Sequence, residues 1–342
     1  MRLVLIGFGV VGQGLAKLLL EKREELTRDH GLPWRVVGIA GSRKGSCFHP
    51  EGIDLAEALA QVERGQSLSD LEQGGGTWSA LELLQRAEAD VMVEATVTDI
   101  ATGEPATSHV RAALGRGMHV VTVNKGPVAL YLDELQELAR SRGRRLLFEG
   151  TVMSGTPLLN LVRECLAGSR IEAVEGILNG TCNFVLTRMG EGLPYQAALA
   201  EAQRLGYAEA LPDADVKGWD TAAKAAILAS VAFGARLHPG AIPCEGITGI
   251  TPENVAEAAG AGQRYKLLGR VWREGGSVRA EVAPRKLPTE HPLAAVGGAA
   301  NAVAILTDTL GTVTVTGPGA GGRETGFAVL NDLISLARSA RP

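Results

Sequence analysis

The stretch that decides the fold is "LVLIGFGVVGQGLAKLLL", residues 3–20, in which three glycines join an apolar run to a leucine-rich helical pattern. Their spacing, GxGxxG, is typical of dinucleotide-binding loops. The first glycine permits a tight turn, the second lets the backbone approach a pyrophosphate, and the third lets the helix pack closely on the strand. We therefore predict a dinucleotide site here, against the alternative of a glycine turn without a ligand. The loop residues are Gly7, Phe8, Gly9, Val10, Val11 and Gly12.

The end of the second apolar run, "RVVGIA", indicates which dinucleotide is bound. An acidic residue at this point would hold the ribose 2′-hydroxyl of NAD. The sequence instead continues "GIAGSRKGS", residues 38–46, and places Ser42, Arg43 and Lys44 there. A hydroxyl and two cations suit a 2′-phosphate through charge-assisted hydrogen bonds. We predict NADP, with NAD as the alternative cofactor and a solvated basic loop as the alternative interpretation.

The predicted pattern of secondary structure changes after residue 150 and so divides the chain into two parts. Residues 1–150 alternate short apolar runs with helical patterns, which predicts an α/β fold with a doubly wound, Rossmann-type parallel sheet. From residue 151 onward, alanine-rich helical stretches (195–205 and 215–234) accompany strand-like segments near 171–179, 264–273 and 277–283, which indicates an α+β domain. The tail is a glycine turn and an amphipathic helix that can return to the first domain. We predict a dinucleotide-binding domain of residues 1–150 completed by 318–342, and a substrate-binding and dimerisation domain of residues 151–317.

Composition excludes several classes of function. The formal net charge of -4 gives no basic surface for nucleic acid. No apolar stretch reaches membrane-spanning length without polar breaks. The four cysteines have no CxxC spacing, so we expect neither a zinc cluster nor a disulfide framework, and a reducing cytoplasm is the simplest setting. Because the sequence starts directly in a strand, no cleaved signal is expected.

One segment of the second half has the composition of a site. Residues 201–229, "EAQRLGYAEALPDADVKGWDTAAKAAILA", place several acidic residues ahead of an apolar helix. Asp220 and Lys224 are four residues apart and share a helix face. Acidic groups beside a lysine can recognise the ammonium of an amino acid and leave the lysine available for chemistry. The alternative is an ordinary surface ion pair.

This segment closely resembles homoserine dehydrogenase, together with "EGILNGTCNFVLTRM" (175–189) and "VTVNKGP" (121–127). The resemblance covers essentially the whole chain, including the closing "GPGAGG" turn. It implies NAD(P)H-dependent interconversion of L-aspartate 4-semialdehyde and L-homoserine, in threonine, methionine and isoleucine biosynthesis. Alternatives are a dehydrogenase of another small amino aldehyde and a non-catalytic, nucleotide-sensing relative.

The resemblance also implies roles for individual residues. Lys224 would be the acid that protonates the developing alkoxide, and Asp220 would orient it. The substrate would be bound by its ammonium at Glu209, with Asp215 assisting, and by backbone and hydroxyl donors of Gly180 and Thr181. The remaining implied residues lie near the nicotinamide or in the cofactor site: Lys125, between nicotinamide and substrate, Thr96 and Gly321.

The segment "FEGTVMSGTP", residues 148–157, resembles the monovalent-cation loop of the same family. The resemblance implies that sodium is bound by the main-chain carbonyls of Glu149, Val152, Ser154 and Thr156, whereas a tight Gly-Thr-Pro turn is the alternative. It also implies a homodimer. Family members often carry a C-terminal regulatory domain for threonine, and we expect the short form here because the sequence ends after the returning helix.

Other chemistry-bearing residues give weaker patterns. Cys182 could suggest a nucleophile, but no histidine base accompanies it in the sequence, so we predict that it is unreactive. His109, His119 and His291 have no metal-ligand spacing, and we interpret them as surface or core residues.

Overall fold

The computed structural model describes residues 1–72 and 74–339. The chain divides into two compact units. One consists of Met1–Gly155 together with the segment that begins at Gly321, and the other consists of Thr156–Ala320.

The first unit is built on a seven-stranded sheet with the strand order β4-β3-β2-β1-β5-β6-β7. Strands β2, β1, β5, β6 and β7 are parallel, whereas β3 and β4 are antiparallel additions at one edge. The predicted doubly wound parallel sheet is therefore confirmed, and the antiparallel edge was not predicted. The strands are β1 (Arg2–Ile6), β2 (Arg35–Gly41), β3 (Gly45–Phe48), β4 (Gly75–Gly76), β5 (Val91–Glu94), β6 (His119–Thr122) and β7 (Leu146–Leu147).

Helices join these strands and supply the apolar core. They are α1 (Val10–Glu21), α2 (Arg23–Arg28), α3 (Leu55–Glu63), α4 (Ala80–Arg86), α5 (Ala106–Gly115), α6 (Lys125–Ser141), α7 (Gly150–Met153) and, after the second unit, α13 (Gly322–Ser339). In α6, Leu132 and Leu135 are buried, and the chain leaves the helix at Gly143 with φ 63°. A positive φ favours glycine, which explains why the helix stops there.

The returning helix α13 packs closely on α1. A Cβ placed on Gly14 would lie 2.2 Å from the carbonyl oxygen of Gly322, and one placed on Gly326 would lie 2.6 Å from the amide nitrogen of Leu15. The two helix backbones approach each other at these glycines, so the C-terminal segment completes the core of the first unit.

The second unit contains a five-stranded antiparallel sheet with the order β10-β9-β8-β11-β12. Its strands are β8 (Ile171–Ile177), β9 (Gln263–Glu274), β10 (Ser277–Pro288), β11 (Ala300–Thr307) and β12 (Gly311–Pro318). Its helices are α8 (Gly180–Gly190), α9 (Tyr195–Arg204), α10 (Asp213–Val216), α11 (Trp219–Phe233) and α12 (Pro252–Gly260). The predicted helical stretch 215–234 is thus two helices, interrupted at Gly218, where φ is 87°.

Helix α11 lies against β9 and β10 and is buried along most of its length. Its alanines allow a close approach to the sheet, and a Cβ placed on Gly269 of β9 would lie 2.9 Å from the methyl group of Thr221. This burial carries Lys224 into the interior of the unit. No helix in the described part of the chain is long and apolar enough to cross a membrane.

Candidate active site

Lys224 and Asp220 form an ion pair inside the second unit. They lie four residues apart on α11, and Lys224 Nζ is 2.8 Å from Asp220 Oδ2. The ammonium also donates a hydrogen bond to the carbonyl oxygen of Leu178, at 2.6 Å. Lys224 is 7% exposed. This pair is therefore not the solvated surface pair of the alternative interpretation, since burial removes most of the solvent screening.

Asn179 connects this pair to a second carboxylate. Its side-chain amide donates to Asp215 Oδ1 at 2.7 Å and to Asp220 Oδ2 at 3.0 Å. Its Oδ1 accepts a hydrogen bond from the amide nitrogen of Cys182 and so caps the N-terminus of α8. The Asn179 side chain thus links the N-terminus of α8 to the acidic segment. Asn179 was not predicted as a site residue, although "LNGT" places a good N-cap residue ahead of the helix.

The neighbouring carboxylate of Asp220 affects the ionisation of Asp215. Burial raises the pKa of Asp215, and the nearby Asp220 raises it further, while the hydrogen bond from Asn179 lowers it. The pocket therefore combines one buried ammonium with two close carboxylates, which suits a zwitterionic substrate and a proton transfer.

The predicted substrate residues lie around the N-terminus of α8. Gly180 and Thr181 are the first two residues of this helix, where backbone N–H groups have no partner within the helix. The Thr181 hydroxyl donates to the carbonyl oxygen of Tyr207. This bond holds the segment after α9, and the role of the Thr181 hydroxyl toward the substrate stays a prediction.

Glu209 lies in that segment and is exposed, with its carbonyl accepting from Gln203 Nε2 at 3.1 Å. Another acidic residue of the same stretch, Asp213, is exposed and pairs with Lys217 at 2.6 Å. Asp213 therefore belongs to the surface and not to the Lys224 cluster.

Cys182 has no features of a nucleophile. It is fully buried, and its Sγ donates to the carbonyl oxygen of Asp215 at 3.2 Å. Burial raises the pKa of the thiol well above its usual value, and the neighbouring Asp215 and Asp220 raise it further. Across the described residues, no group of three or more His, Cys, Asp and Glu side chains could hold a metal ion.

The glycine loop of the first unit has the geometry of an anion site. Gly7 has φ 98°, and a Cβ there would lie 2.3 Å from the carbonyl oxygen of Ala95. A Cβ on Gly12 would lie 2.4 Å from the carbonyl oxygen of Gly7, whereas one on Gly9 would meet nothing within 4 Å. The backbone at Gly9 therefore borders open space at the N-terminus of α1, where the helix favours negative charge.

The other residues of the glycine loop differ in exposure, and therefore in which of their atoms a ligand can contact. Phe8 is 1% exposed and packs in the core, so it can offer only its backbone to a ligand, whereas Val10 is 76% exposed. Val11 is half-buried in the first turn of α1. Gly321 lies just before α13, and a Cβ on the adjacent Gly322 would be 2.6 Å from the carbonyl oxygen of Val10. The Gly321 turn thus lies beside the loop.

The basic segment of the predicted cofactor site is the turn between β2 and β3. Ser42 and Arg43 are exposed and Lys44 is half-buried. A Cβ on Gly41, at the end of β2, would lie 3.5 Å from the amide nitrogen of Phe8. The hairpin therefore begins beside the glycine loop.

A buried network organises the carboxyl ends of β5 and β6. Glu94 is completely buried and accepts hydrogen bonds from the amide and hydroxyl groups of Thr96 and, at 3.4 Å, from the Thr122 hydroxyl. Asn124 donates to the carbonyl oxygens of Thr96 and Val97 and caps α6. Both hydrogen-bond donors of Thr96, its amide and its hydroxyl, are therefore engaged by Glu94.

Lys125 is the first residue of α6 and is half-buried. It follows Asn124 directly, so the same network fixes the position at which the Lys125 side chain starts. The carboxyl ends of parallel strands are where open α/β sheets bind their ligands.

The predicted cation loop is short and strained. Glu149, Val152 and Ser154 are buried residues in and beside α7 of the first unit, and Thr156 begins the second unit. Ser154 has φ 54° and ψ -121°, and its hydroxyl is 2.7 Å from that of Thr325. A non-glycine residue in such a conformation costs on the order of 1–3 kcal/mol and often marks a functional position.

Two family models match the chain. The model described as homoserine dehydrogenase matches residues 157–334, and the model described as the NAD-binding domain of homoserine dehydrogenase matches residues 7–149.

Full-length relatives agree with these models. The chain is 44% identical over 342 residues to the NAD(+)-dependent homoserine dehydrogenase of Pseudomonas canavaninivorans, covering 99% of this chain and 97% of that protein. It is 37% identical to the homoserine dehydrogenase of Methanocaldococcus jannaschii, covering 100% of both. Among solved structures, a hyperthermophilic archaeal homoserine dehydrogenase in complex with NADPH has a TM-score of 0.83 and 32% identity, covering 100% of this chain and 98% of that one.

Proposed function

The chain belongs to the homoserine dehydrogenase family, and from this premise we propose how its own residues carry out the reaction. It is an NAD(P)-dependent oxidoreductase that interconverts L-aspartate 4-semialdehyde and L-homoserine. The observation that carries the residue assignment is the buried pair of Lys224 and Asp220, joined by Asn179 to Asp215.

Lys224 is the proton donor in the direction of aldehyde reduction. The nicotinamide, when bound, supplies the hydride that the aldehyde carbon receives. Negative charge then develops on the substrate oxygen, and the Lys224 ammonium stabilises this charge and donates a proton to it. In homoserine oxidation the neutral amine takes the hydroxyl proton. Lys125, at the start of α6, is the second cation that we assign to the reacting end of the substrate.

Asp220 and Leu178 orient the ammonium. The Asp220 carboxylate and the Leu178 carbonyl oxygen each accept from Nζ, which fixes two of its three N–H directions. The third N–H is the one available to the substrate. Asn179 holds Asp220 in place through the same oxygen, so the proton donor is preorganised by three residues of one unit.

Two parts of the second unit bind the substrate. Glu209 binds the substrate ammonium, with Asp215 assisting, and the backbone N–H groups of Gly180 and Thr181 bind its carboxylate. A carboxylate at a helix N-terminus gains from both the free N–H groups and the helix dipole. The exposed position of Glu209 is consistent with a group that meets the substrate from the solvent side.

The cofactor assignment rests on the first unit. The loop from Gly7 to Gly12 receives the pyrophosphate at the open backbone of Gly9, and we assign Thr96 and Gly321 to the surroundings of the cofactor. Ser42, Arg43 and Lys44 bind a 2′-phosphate, so NADP is preferred over NAD. The NADPH complex of one relative supports this preference, whereas the name of the Pseudomonas relative specifies NAD(+).

Sodium would be held by main-chain carbonyls of the cation loop. Glu149, Val152 and Ser154 are buried, and the turned backbone of Ser154 is the kind of distortion that ion ligation by carbonyls requires. Asp332 accepts a hydrogen bond from the Glu149 amide at 3.1 Å and so fixes the start of the loop. The ion would supply structural rigidity. Thr156 as the fourth ligand, a homodimer formed through the second unit, and a cytoplasmic location stay predictions.

The direct test is reduction of NADP and of NAD by the purified protein with L-homoserine, followed by nicotinamide absorbance. Activity with L-homoserine that exceeds activity with its one-carbon-longer homologue supports the assignment. Equal or greater activity with the longer amino alcohol would identify a dehydrogenase of another amino aldehyde. No turnover with either would support a non-catalytic relative.

A further inference from the structure

Lys266 is a buried cation that the proposed reaction does not use. It lies on β9 of the second unit and is 4% exposed. Its ammonium donates to Asn183 Oδ1 at 3.0 Å and to the carbonyl oxygen of Val296. Within the described residues it makes no ion pair with a carboxylate. Burying an ammonium without a counterion is costly, so an apolar residue would be the cheaper choice at this position.

The hydrogen-bond partners of Lys266 connect it to the N-terminal end of α8, where we propose that the substrate binds. Asn183 lies three residues into this helix from Gly180, which is about 4.5 Å along the helix axis. Its amide donates to the carbonyl oxygens of Val296 and Ala300, at 3.1 Å and 3.0 Å. Lys266 and Asn183 together therefore fix the segment that enters β11 against the first turns of α8.

The same segment forms a wall beside Gly180. A Cβ on Gly180 would lie 2.6 Å from the carbonyl oxygen of Ala299 and 3.5 Å from Asn301 Oδ1. Asn301 is completely buried, and neither polar atom of its amide has a hydrogen-bond partner. An unsatisfied buried amide beside a helix N-terminus is a second sign that a polar ligand belongs here.

The charges of the pocket explain why an additional cation is needed. A substrate such as L-homoserine carries an ammonium and a carboxylate. Asp215, Asp220 and Glu209 favour the ammonium but repel the carboxylate. The helix N-terminus contributes only a partial positive charge, and Lys224 is engaged by Asp220. The pocket therefore needs positive potential on the α8 side.

We propose that Lys266 is a specificity-determining residue. Its buried ammonium gives the N-terminus of α8 the positive potential that selects a substrate with an α-carboxylate. The inference deepens the proposed function and rests on its substrate site at Gly180 and Thr181. The role is electrostatic, and Lys266 does not contact the substrate. Burial lowers the pKa of Lys266 to about 8, and Arg264 contributes in the same direction, so the side chain is mainly charged at neutral pH.

The test compares L-homoserine with its α-amide, which keeps the hydroxyl and ammonium but replaces the carboxylate by a neutral group of similar shape. The variants are Lys266→Met, which removes charge and donor, and Lys266→Gln, which removes the charge but keeps a donor. For both we expect kcat/KM for L-homoserine to fall roughly tenfold relative to kcat/KM for the amide. Lys286→Met is the matched control, because Lys286 is an exposed lysine on β10 and its removal changes the net charge equally.

Three results would overturn the inference. An equal loss for both substrates would show a structural role only. The second result concerns the ratio of kcat/KM for L-homoserine to kcat/KM for the amide. If this ratio is that of the wild type in Lys266→Gln but lowered in Lys266→Met, the effect comes from hydrogen bonding and not from charge. An equally large change of this ratio in Lys286→Met would show a general effect of net charge. If Lys266→Met does not fold, as judged by circular dichroism, Lys266→Gln decides the question. Wild-type protein that does not oxidise L-homoserine would contradict the proposed function itself, which separates the two failures.

Discussion

Asn179 Nδ2 lies 3.0 Å from Asp220 Oδ2, the same oxygen that accepts from Lys224. The N-cap residue of one helix thus reaches the first turn of another and holds the partner of the proposed proton donor. The same amide nitrogen donates to Asp215 Oδ1, so Asn179 joins the acidic segment, α8 and α11. The assignment of Lys224 and the effect of Asn179 on its surroundings can be tested separately.

Replacing Lys224 with alanine should nearly abolish turnover. The loss removes the proposed acid, and one acid or base group typically contributes on the order of 10²–10⁴ in rate. Affinity for NADP, measured by fluorescence titration, should stay close to that of the wild type because Lys224 belongs to the second unit. Lys217→Ala is the control, since Lys217 is exposed and pairs with Asp213. A kcat near that of the wild type in Lys224→Ala would contradict the assignment.

Replacing Asn179 with alanine should move the acidic limb of the pH-rate profile to higher pH. The hydrogen bond from Asn179 lowers the pKa of Asp215, and burial and Asp220 already raise it. Without that bond the pKa of Asp215 rises further, so the carboxylate is protonated at a higher pH and ammonium binding weakens there. The profile of kcat/KM for L-homoserine measures this shift. Loss of activity with an unchanged profile would show that Asn179 acts as a helix cap alone.

Sequence patterns can group candidate site residues that are neighbours along the chain, but they do not reveal the tertiary contacts between them. Asp220 and Lys224 could be paired because they are neighbours on one helix, and Gly7, Gly9 and Gly12 because they lie in one loop. Asn179 could not be connected to Asp220, because the two are 41 residues apart and meet only in the tertiary fold. The same limit applies to Lys266, which on sequence alone is one polar residue in an amphipathic strand.

The fold was predicted where hydrophobic patterns are strong. The parallel strands and the strands β8, β9 and β10 follow from apolar runs, whereas the pairs β3–β4 and β11–β12 were not predicted. Strand β12 is largely exposed and rich in threonine and glycine, so it has no continuous apolar signal. Strands β3 and β4 together contain only six residues and pair at the edge of the sheet. Pairing with neighbouring strands determines whether such segments form strands more than local propensity does.

Two glycines of the dinucleotide loop should respond differently to alanine. A Cβ on Gly9 would enter open space, so Gly9→Ala should keep the melting temperature and weaken NADP binding by blocking the approach of the pyrophosphate. A Cβ on Gly12 would lie 2.4 Å from the Gly7 carbonyl oxygen, so Gly12→Ala should destabilise the fold by roughly 1–3 kcal/mol. Thermal melts and cofactor titrations measure both effects. Unchanged NADP affinity in a folded Gly9→Ala protein would contradict the pyrophosphate site.

Removing both cations of the β2–β3 turn should change the cofactor preference. Each charge-assisted hydrogen bond contributes about 1.5–3 kcal/mol, so the double variant Arg43→Ala, Lys44→Ala should lose tenfold or more in preference for NADPH over NADH. The measurement is kcat/KM for each cofactor. A double variant at Arg140 and Arg142 is the control, because these exposed arginines lie at the end of α6. Equal losses for both cofactors would show that the turn does not bind the 2′-phosphate.

Lys266 should make stability depend on pH in a defined direction. Burial lowers the pKa of Lys266 from 10.5 to about 8 in the folded chain. Between these two values the unfolded chain binds the proton and the folded chain does not, so stability rises with pH, and below pH 8 the buried charge lowers it. From pH 7 to pH 9 the free energy of unfolding of the wild type should therefore rise by about 1 kcal/mol relative to Lys266→Met. Urea unfolding at both pH values gives this difference, and the effect of Cys47, whose pKa burial raises to about 12, cancels because both proteins contain it. A difference that stays constant with pH would show that Lys266 does not titrate in this range.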